Sequence, residues 1–247
     1  MVGRTAALLG LGAALGLYYT FHDRLWNAST DWDIAFFALV LIPACFALVW
    51  LALPLRTHPR LWLAALVLVL LAVGFQLLGW STLENFSKLF ALTALGFWFL
   101  SLFEALSWVV LIAVIIPFVD AYSVFSPRGP TNVIVKEHEN LFTDYMSFAF
   151  PFPGERGSAN LGLPDLLFFA LFLAASARFR LRPGATWVLM TLSFGVTLAI
   201  AAHWRGGLPA LPLLAIAFLV ANADLIWAQL RRRGPDTAVS DGSDPDL

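Results

Sequence analysis

The sequence predicts an all-α fold, a polytopic bundle of transmembrane helices with about eight spans. Of its 247 residues, 60% are hydrophobic and only 13% are charged, whereas roughly a quarter of the residues in an average soluble domain are charged. The apolar residues form blocks of about twenty, which is the length a helix needs to cross roughly 30 Å of hydrocarbon. These two observations indicate an integral, multi-pass membrane protein that contacts the lipid bilayer.

Each apolar block is expected to be a helix, because a spanning segment must satisfy its own backbone hydrogen bonds and no block shows the period-two alternation of a barrel strand. A single helix over residues 86–125 would be about 60 Å long, twice the hydrocarbon thickness, so a break is predicted at residues 101–104. The first block follows Arg4 but lacks a small-x-small cleavage site, which favours a retained anchor. The blocks are residues 6–21, 34–55, 61–80, 86–103, 105–125, 163–179, 185–204 and 208–227.

The blocks suggest a division into four N-terminal spans over residues 1–104 and a second half over residues 105–230. The second half contains residues 126–161, which are charged and rich in Pro and Gly, and predict a long water-facing loop. The tail, residues 231–247, has the composition of a disordered end. With eight crossings, nine of the fifteen Lys and Arg residues lie on the side of the termini, which predicts that both termini are cytoplasmic.

Charge and cysteine content exclude two classes of protein. A formal net charge of −1 leaves no broad basic surface, so no nucleic-acid partner is expected. The single cysteine, Cys45, cannot form an internal disulfide.

Ionisable residues inside apolar blocks are functional candidates, because a carboxylate at membrane depth costs several kcal/mol. Asp120 lies near the end of one block and Asp165 near the start of the next, with the long loop between them. Both therefore lie about one turn or less inside the same membrane face, and we expect them to meet. Asp224, which is close to Trp227, is expected to be an interfacial residue.

Two carboxylates that meet in a low-dielectric place do not both ionise, so one keeps its proton while the other is an anion. Such a pair can activate a water for attack on a peptide carbonyl and protonate the departing nitrogen. Paired membrane acids also serve as proton or cation sites in transporters. Spacing alone leaves a protease and a proton-coupled transporter both open.

Three motifs around these acids resemble the presenilin and signal peptide peptidase family of GxGD-type intramembrane aspartyl proteases. The family's Tyr-Asp motif is matched by Val119-Asp120, and the stretch that follows, with residues 131–135, also resembles signal peptide peptidases. The family's Gly-x-Gly-Asp motif is matched by Gly162-Leu163-Pro164-Asp165, and its Pro-Ala-Leu motif is present unaltered as Pro209-Ala210-Leu211. The order and spacing of the motifs agree with the family over residues 105–227.

The resemblance implies a presenilin-like bundle and an aspartic endopeptidase that cuts membrane-spanning helices or remnant signal peptides. Asp120 and Asp165 would be its catalytic pair, and the other residues of the Gly-x-Gly-Asp and Pro-Ala-Leu motifs would bind substrate. It implies no cofactor and, as partner, a transmembrane peptide or protein substrate; the oligomeric state is not implied. Val119 replaces the family's tyrosine and Pro164 its second glycine, so an inactive presenilin-like protein is a further alternative. Pro164 suits the first turn of the helix that carries Asp165.

The long loop contains two segments of strand-like composition, residues 131–135 and 148–153. An extended substrate could add to either one, which would satisfy the backbone groups freed when its helix unwinds. Packing of the loop's phenylalanines on the membrane surface is the alternative. His138-Glu139 has no second histidine at HExxH spacing, so no metal site is expected.

Overall fold

The computed structural model describes residues 2–27, 29–137, 143, 145–203 and 208–231, and these residues are mostly helical. Each of the eight apolar blocks forms helix over most of its described residues. Four helical segments are long and apolar enough to cross a membrane, so four of the eight blocks meet this criterion. They are Thr30–Thr57, Leu106–Ile134, Pro183–His203 and Leu211–Arg231.

The described residues form ten α-helices, a π-helical turn, two short 3₁₀ helices (His22–Arg24 and Leu53–Thr57) and one β-hairpin. The N-terminal helices are α1 (Val2–Phe21), α2 (Thr30–Phe36), α3 (Ile42–Ala52), α4 (Leu61–Leu77) and α5 (Ser81–Ser101). A π-helical turn, Phe37–Leu41, joins α2 to α3. The second half contains α6 (Leu106–Phe125), α7 (Pro130–Glu137), β1 (Ser147–Pro151), β2 (Ser158–Gly162), α8 (Leu163–Arg178), α9 (Pro183–His203) and α10 (Leu211–Arg231).

The predicted break between the fourth and fifth blocks is confirmed. Helix α5 ends at Ser101 and α6 begins at Leu106, so Glu104 lies in the turn between them. The predicted disordered tail, residues 231–247, is wrong at Arg231, which is the last residue of α10, and its other residues lie outside the described part of the chain. His138, Glu139 and Trp204, the end of the seventh block, also lie outside the described residues.

Helix α8 is the centre of the bundle. From residue 166 to residue 177 its side chains are small or apolar on every face, and all eight from Phe169 to Ser176 are fully buried, which is typical of a helix surrounded by others. Helices α5, α9 and α10 pack around it. The approach of α5 is close because Gly96 has no side chain: a Cβ at this position would lie 2.7 Å from the carbonyl oxygen of Leu167.

Two expectations for residues 126–161 are wrong. The segment 131–135 is not extended but lies in helix α7, which begins at Pro130, a residue favoured in the first turn of a helix. Residues 126–161 as a whole are also more than a water-facing loop, because they contain the hairpin β1–β2. Phe148 and Phe150 of β1 are buried in the hydrophobic core. The strand-like composition of residues 148–153 did predict β1.

Candidate functional site

Asp120 lies on the face of α6 that packs against α10. The buried residues Val109 and Ala113 lie on the same face of α6, one or more turns earlier. The Asp120 carboxylate is half-buried, and its Oδ2 accepts a hydrogen bond of 3.1 Å from the backbone N–H of Leu211. Leu211 is the first residue of α10, so this N–H has no acceptor within its own helix. The Pro-Ala-Leu segment therefore contacts the first aspartate through its backbone.

Asp165 lies in the first turn of α8, directly after β2. Gly162 is the N-cap of α8, with φ −61° and ψ 142°, and its backbone N–H donates to the Asp165 carboxylate. A carboxylate that reaches back to the N-cap N–H is one half of a capping box, and it is also favoured by the helix dipole. Asp165 is 9% exposed. Pro164 occupies the first turn of α8, as the sequence predicted, and Leu163 is half-buried beside it.

The two aspartates lie near each other, although they are on different helices. The charge of Asp120 acts on the Asp165 carboxylate, and α6 contacts α8. Each carboxylate also accepts one backbone N–H, from Leu211 and Gly162 respectively. The three sequence motifs therefore meet at one place, the end of the hairpin.

The side chains of Pro209, Ala210 and Leu211 are all buried. They shape the start of α10 by packing, and it is the backbone of the segment that reaches Asp120.

Asp224 lies far from this place. It is 13 residues after Leu211 on α10, or about 20 Å along the helix at 1.5 Å per residue. Its carboxylate accepts two hydrogen bonds of 2.6 and 2.7 Å from the guanidinium of Arg182, and these bonds raise the pKa of Arg182. Both side chains are largely exposed.

The outward edge of β1 is occupied by side chains of α1 and α5. Alternate residues bond across the hairpin, and two hydrogen bonds show which ones: Leu163 N–H donates to Met146 O, and Phe152 N–H donates to Gly157 O. The remaining residues of β1 direct their backbone groups outward, and each of them has a side-chain partner. Ser147 O accepts from Lys88 Nζ at 3.3 Å, Ala149 O from Asn85 Nδ2 at 2.7 Å and from Tyr19 at 3.0 Å, and Pro151 O from Tyr18 at 2.7 Å.

This arrangement contradicts one of the two alternatives for residues 148–153, the addition of a substrate strand. One edge of β1 pairs with β2, and the other is taken by α1 and α5, so neither is open to a further strand.

The outward edge of β2 is different. The same alternation directs the backbone groups of Ser158, Asn160 and Gly162 away from β1. The Gly162 N–H bonds to Asp165, whereas the backbone groups of Ser158 and Asn160 on this edge make no further hydrogen bond to the part of the chain that the structure describes. An unpaired strand edge thus leads directly to the Asp165 carboxylate.

Asn85, Lys88 and the two tyrosines are residues that the sequence analysis missed. A signal was present: Glu84, Asn85 and Lys88 are polar residues at the start of an apolar helix. In the structure all three are buried, and Lys88 and Glu84 form an ion pair of 2.5 Å. Polar groups of this kind in an apolar helix usually face protein or water.

Across residues 2–27, 29–137, 145–203 and 208–231, no group of three or more His, Cys, Asp or Glu side chains could hold a metal ion. That the site works without metal or cofactor stays a prediction. No protein-family model and no curated protein matches the chain. The family resemblance therefore depends on the three sequence motifs alone.

Proposed function

We propose that the protein is an intramembrane aspartyl protease of the GxGD type, similar to presenilin and signal peptide peptidase, with Asp120 and Asp165 as its catalytic pair. The observation that carries the proposal is a contact between the motifs: the Leu211 N–H donates to Asp120 Oδ2 at 3.1 Å, and α6, which carries Asp120, packs against α8, which carries Asp165. Contacts between motifs so far apart in the sequence are expected if the residues serve one site.

The pair performs hydrolysis as one unit. The ionised aspartate takes a proton from a water, whose oxygen then attacks the carbonyl carbon of the scissile peptide bond. The protonated aspartate gives its proton to the departing nitrogen as the C–N bond breaks, so the two carboxyl groups exchange roles in each cycle. The N–H groups of Gly162 and Leu211 hold the two carboxylates in place during this exchange.

The substrate binds as an extended strand on the outward edge of β2. A membrane-spanning helix that is to be cut must unwind, and its freed backbone groups then need partners. The outward backbone groups of Ser158 and Asn160, which have no other partner within the described residues, supply them by strand addition. Because the Asp165 carboxylate bonds to the next outward residue, Gly162, a strand on this edge reaches the catalytic pair.

The proposal includes eight crossings, in which α1, α4, α5 and α8 join the four long apolar helices. Helix α8 has 16 residues and is about 24 Å long, shorter than the roughly 30 Å of hydrocarbon. Its N-terminus, with Asp165 and the end of β2, then lies below one membrane surface. The buried phenylalanines Phe148 and Phe150 support this depth for the hairpin.

The test is cleavage of a single-span substrate by the full chain reconstituted in vesicles. Asp120→Asn and Asp165→Asn should each abolish cleavage, and the double variant should lose little more, because an acid and a base that act together are not additive. Asp224→Asn is the matched control: it changes a membrane-helix aspartate outside the site and should cleave as wild type does.

A proton-coupled transporter that uses the same aspartates predicts a different result. Proton-coupled flux in sealed vesicles, without cleavage of any of several membrane substrates and without binding of a transition-state isostere of peptide hydrolysis, would replace the protease by the transporter. Absence of both flux and cleavage would favour an inactive presenilin-like protein.

A further inference from the structure

The side-chain amide of Asn85 takes the place of a neighbouring strand beside β1. Its Nδ2 donates to Ala149 O at 2.7 Å and its Oδ1 accepts from Ala149 N–H at 3.1 Å. An amide side chain has the donor and acceptor of a peptide group, so Asn85 forms the pair of bonds that an added strand would form. Asn85 is 7% exposed, which leaves little room for water to replace it.

The bonds around Asn85 tie the hairpin to the N-terminal helices. Lys88, one turn later on α5, bonds to Ser147 O, and Tyr18 and Tyr19 of α1 bond to Pro151 O and Ala149 O. Of these four side chains, Asn85 is the one that satisfies both outward groups of a single strand residue. It therefore determines the position of Ala149 along the axis of α5.

The position of β1 determines the position of β2. The two strands are in fixed antiparallel register, with Ala149 opposite Asn160, and the outward groups of Asn160 belong to the edge that leads to Asp165. A movement of β1 is therefore passed to β2 and to any strand that is paired with it.

We propose that Asn85 is a positioning residue for peptide-bond hydrolysis, which closes the edge of β1 and sets the register in which an extended substrate on β2 meets Asp120 and Asp165. This inference rests on the proposed protease function. Asn85 does not touch the substrate; it acts through β1 and β2. Because a strand rises about 3.4 Å per residue, a two-residue slip moves a substrate peptide bond by roughly 7 Å, and cleavage then occurs at a different bond.

The experiment compares Asn85→Ala and Asn85→Gln with wild type in the full-length chain. Products from a single-span substrate are identified by mass spectrometry, and exchange of the Ala149 amide hydrogen is measured without substrate. The control is Thr93→Ala, which changes a buried polar residue of the same helix whose hydroxyl bonds only within that helix, to Leu89 O at 2.7 Å.

For Asn85→Ala we expect faster exchange at Ala149, a fall of about tenfold in kcat and products cut at more than one bond. Asn85→Gln keeps the amide but moves it by one methylene group, so it should keep the fold and shift the main cleavage site. Thr93→Ala should give the wild-type product and the wild-type exchange rate. A role in stability alone would lower the amount of folded protein without changing where the substrate is cut.

The outcomes separate this inference from the proposed function. If wild type cuts no substrate, the protease proposal fails and the role of Asn85 fails with it. If wild type cuts and neither Asn85 variant changes the cleavage site, the protease proposal stands and the role of Asn85 is overturned. If Asn85→Ala does not fold, the product position of Asn85→Gln decides.

Discussion

Gly162 lies so close to the Asp165 carboxylate that a single added methyl group would disturb it. A Cβ at residue 162 would be 3.1 Å from Asp165 Oδ2 and 3.6 Å from Pro164 Cδ. The backbone itself would tolerate alanine, because φ −61° and ψ 142° lie in a region open to every L-residue. Gly162→Ala therefore tests the position of the carboxylate separately from the conformation of the chain.

The expected magnitude follows from the contact. Relief of the 3.1 Å approach requires the carboxylate to retreat by about 0.3 Å, and a misplacement of about 1 Å costs on the order of a hundredfold in rate. If the free energy of activation rises linearly with the displacement, about 0.3 Å lowers kcat roughly fourfold. The thermal stability should not fall, because replacement of Gly by Ala at a permitted conformation restricts the unfolded chain.

The assay is kcat for a single-span substrate in detergent, together with the thermal unfolding midpoint. Gly184→Ala is the matched control, since a Cβ there has no atom within 4 Å, and its kcat should equal that of wild type. Equal kcat values for the folded Gly162→Ala and Gly184→Ala variants would refute the reasoning that Gly162 leaves space for the Asp165 carboxylate.

Two further predictions concern α5 and α10. Gly96→Ala should lower the free energy of unfolding by about 1–3 kcal/mol, because its Cβ would lie 2.7 Å from Leu167 O and α5 would have to move away from α8. The check is the thermal unfolding midpoint of Gly96→Ala compared with that of Gly74→Ala, because a Cβ at residue 74 would have no atom within 4 Å. Equal midpoints for the two variants would contradict the prediction. Leu211→Pro removes the N–H that bonds to Asp120, at a helix position where proline is tolerated. Its kcat should be about ten- to a hundredfold below that of Leu211→Ala, which loses the side chain but keeps the N–H, since a hydrogen bond to a charged group contributes about 1.5–3 kcal/mol. Similar kcat values for the two variants would show that this hydrogen bond has no role in the reaction.

Local composition predicted the helices well and one short segment badly. The eight apolar blocks form helix over most of their described residues, as expected for apolar segments that must satisfy their own backbone hydrogen bonds. Residues 131–135 were expected to be extended because Val133, Ile134 and Val135 are β-branched. Pro130 was the available signal for a helix start. Propensity over five residues is weaker than such a start signal.

The candidate site was predictable in its residues and not in its surroundings. Asp120 and Asp165 are identifiable as candidates because a carboxylate in an apolar block is costly. Their depth in the membrane, inferred from the length of each block, stays a prediction. Residues 148–153 were expected to be strand-like, and β1 covers Ser147–Pro151. Of the two alternatives for this segment, an edge open to substrate is contradicted. Its edge is closed by Asn85, which is 64 positions away from Ala149, and nothing local to either residue indicates the contact.

The amino-acid sequence alone therefore indicates the membrane class and determines the helical blocks, because these follow from the transfer of local groups out of water. The depth of the two aspartates in the membrane stays a prediction. The choice of open edge is made by packing: α1 and α5 place Tyr18, Tyr19, Asn85 and Lys88 against β1, and β2 keeps an edge that runs to Asp165. That choice depends on hydrogen bonds, which form only when donor and acceptor lie about 3 Å apart. Distances of this kind between helices and strands that are remote in the chain are defined only in the assembled bundle.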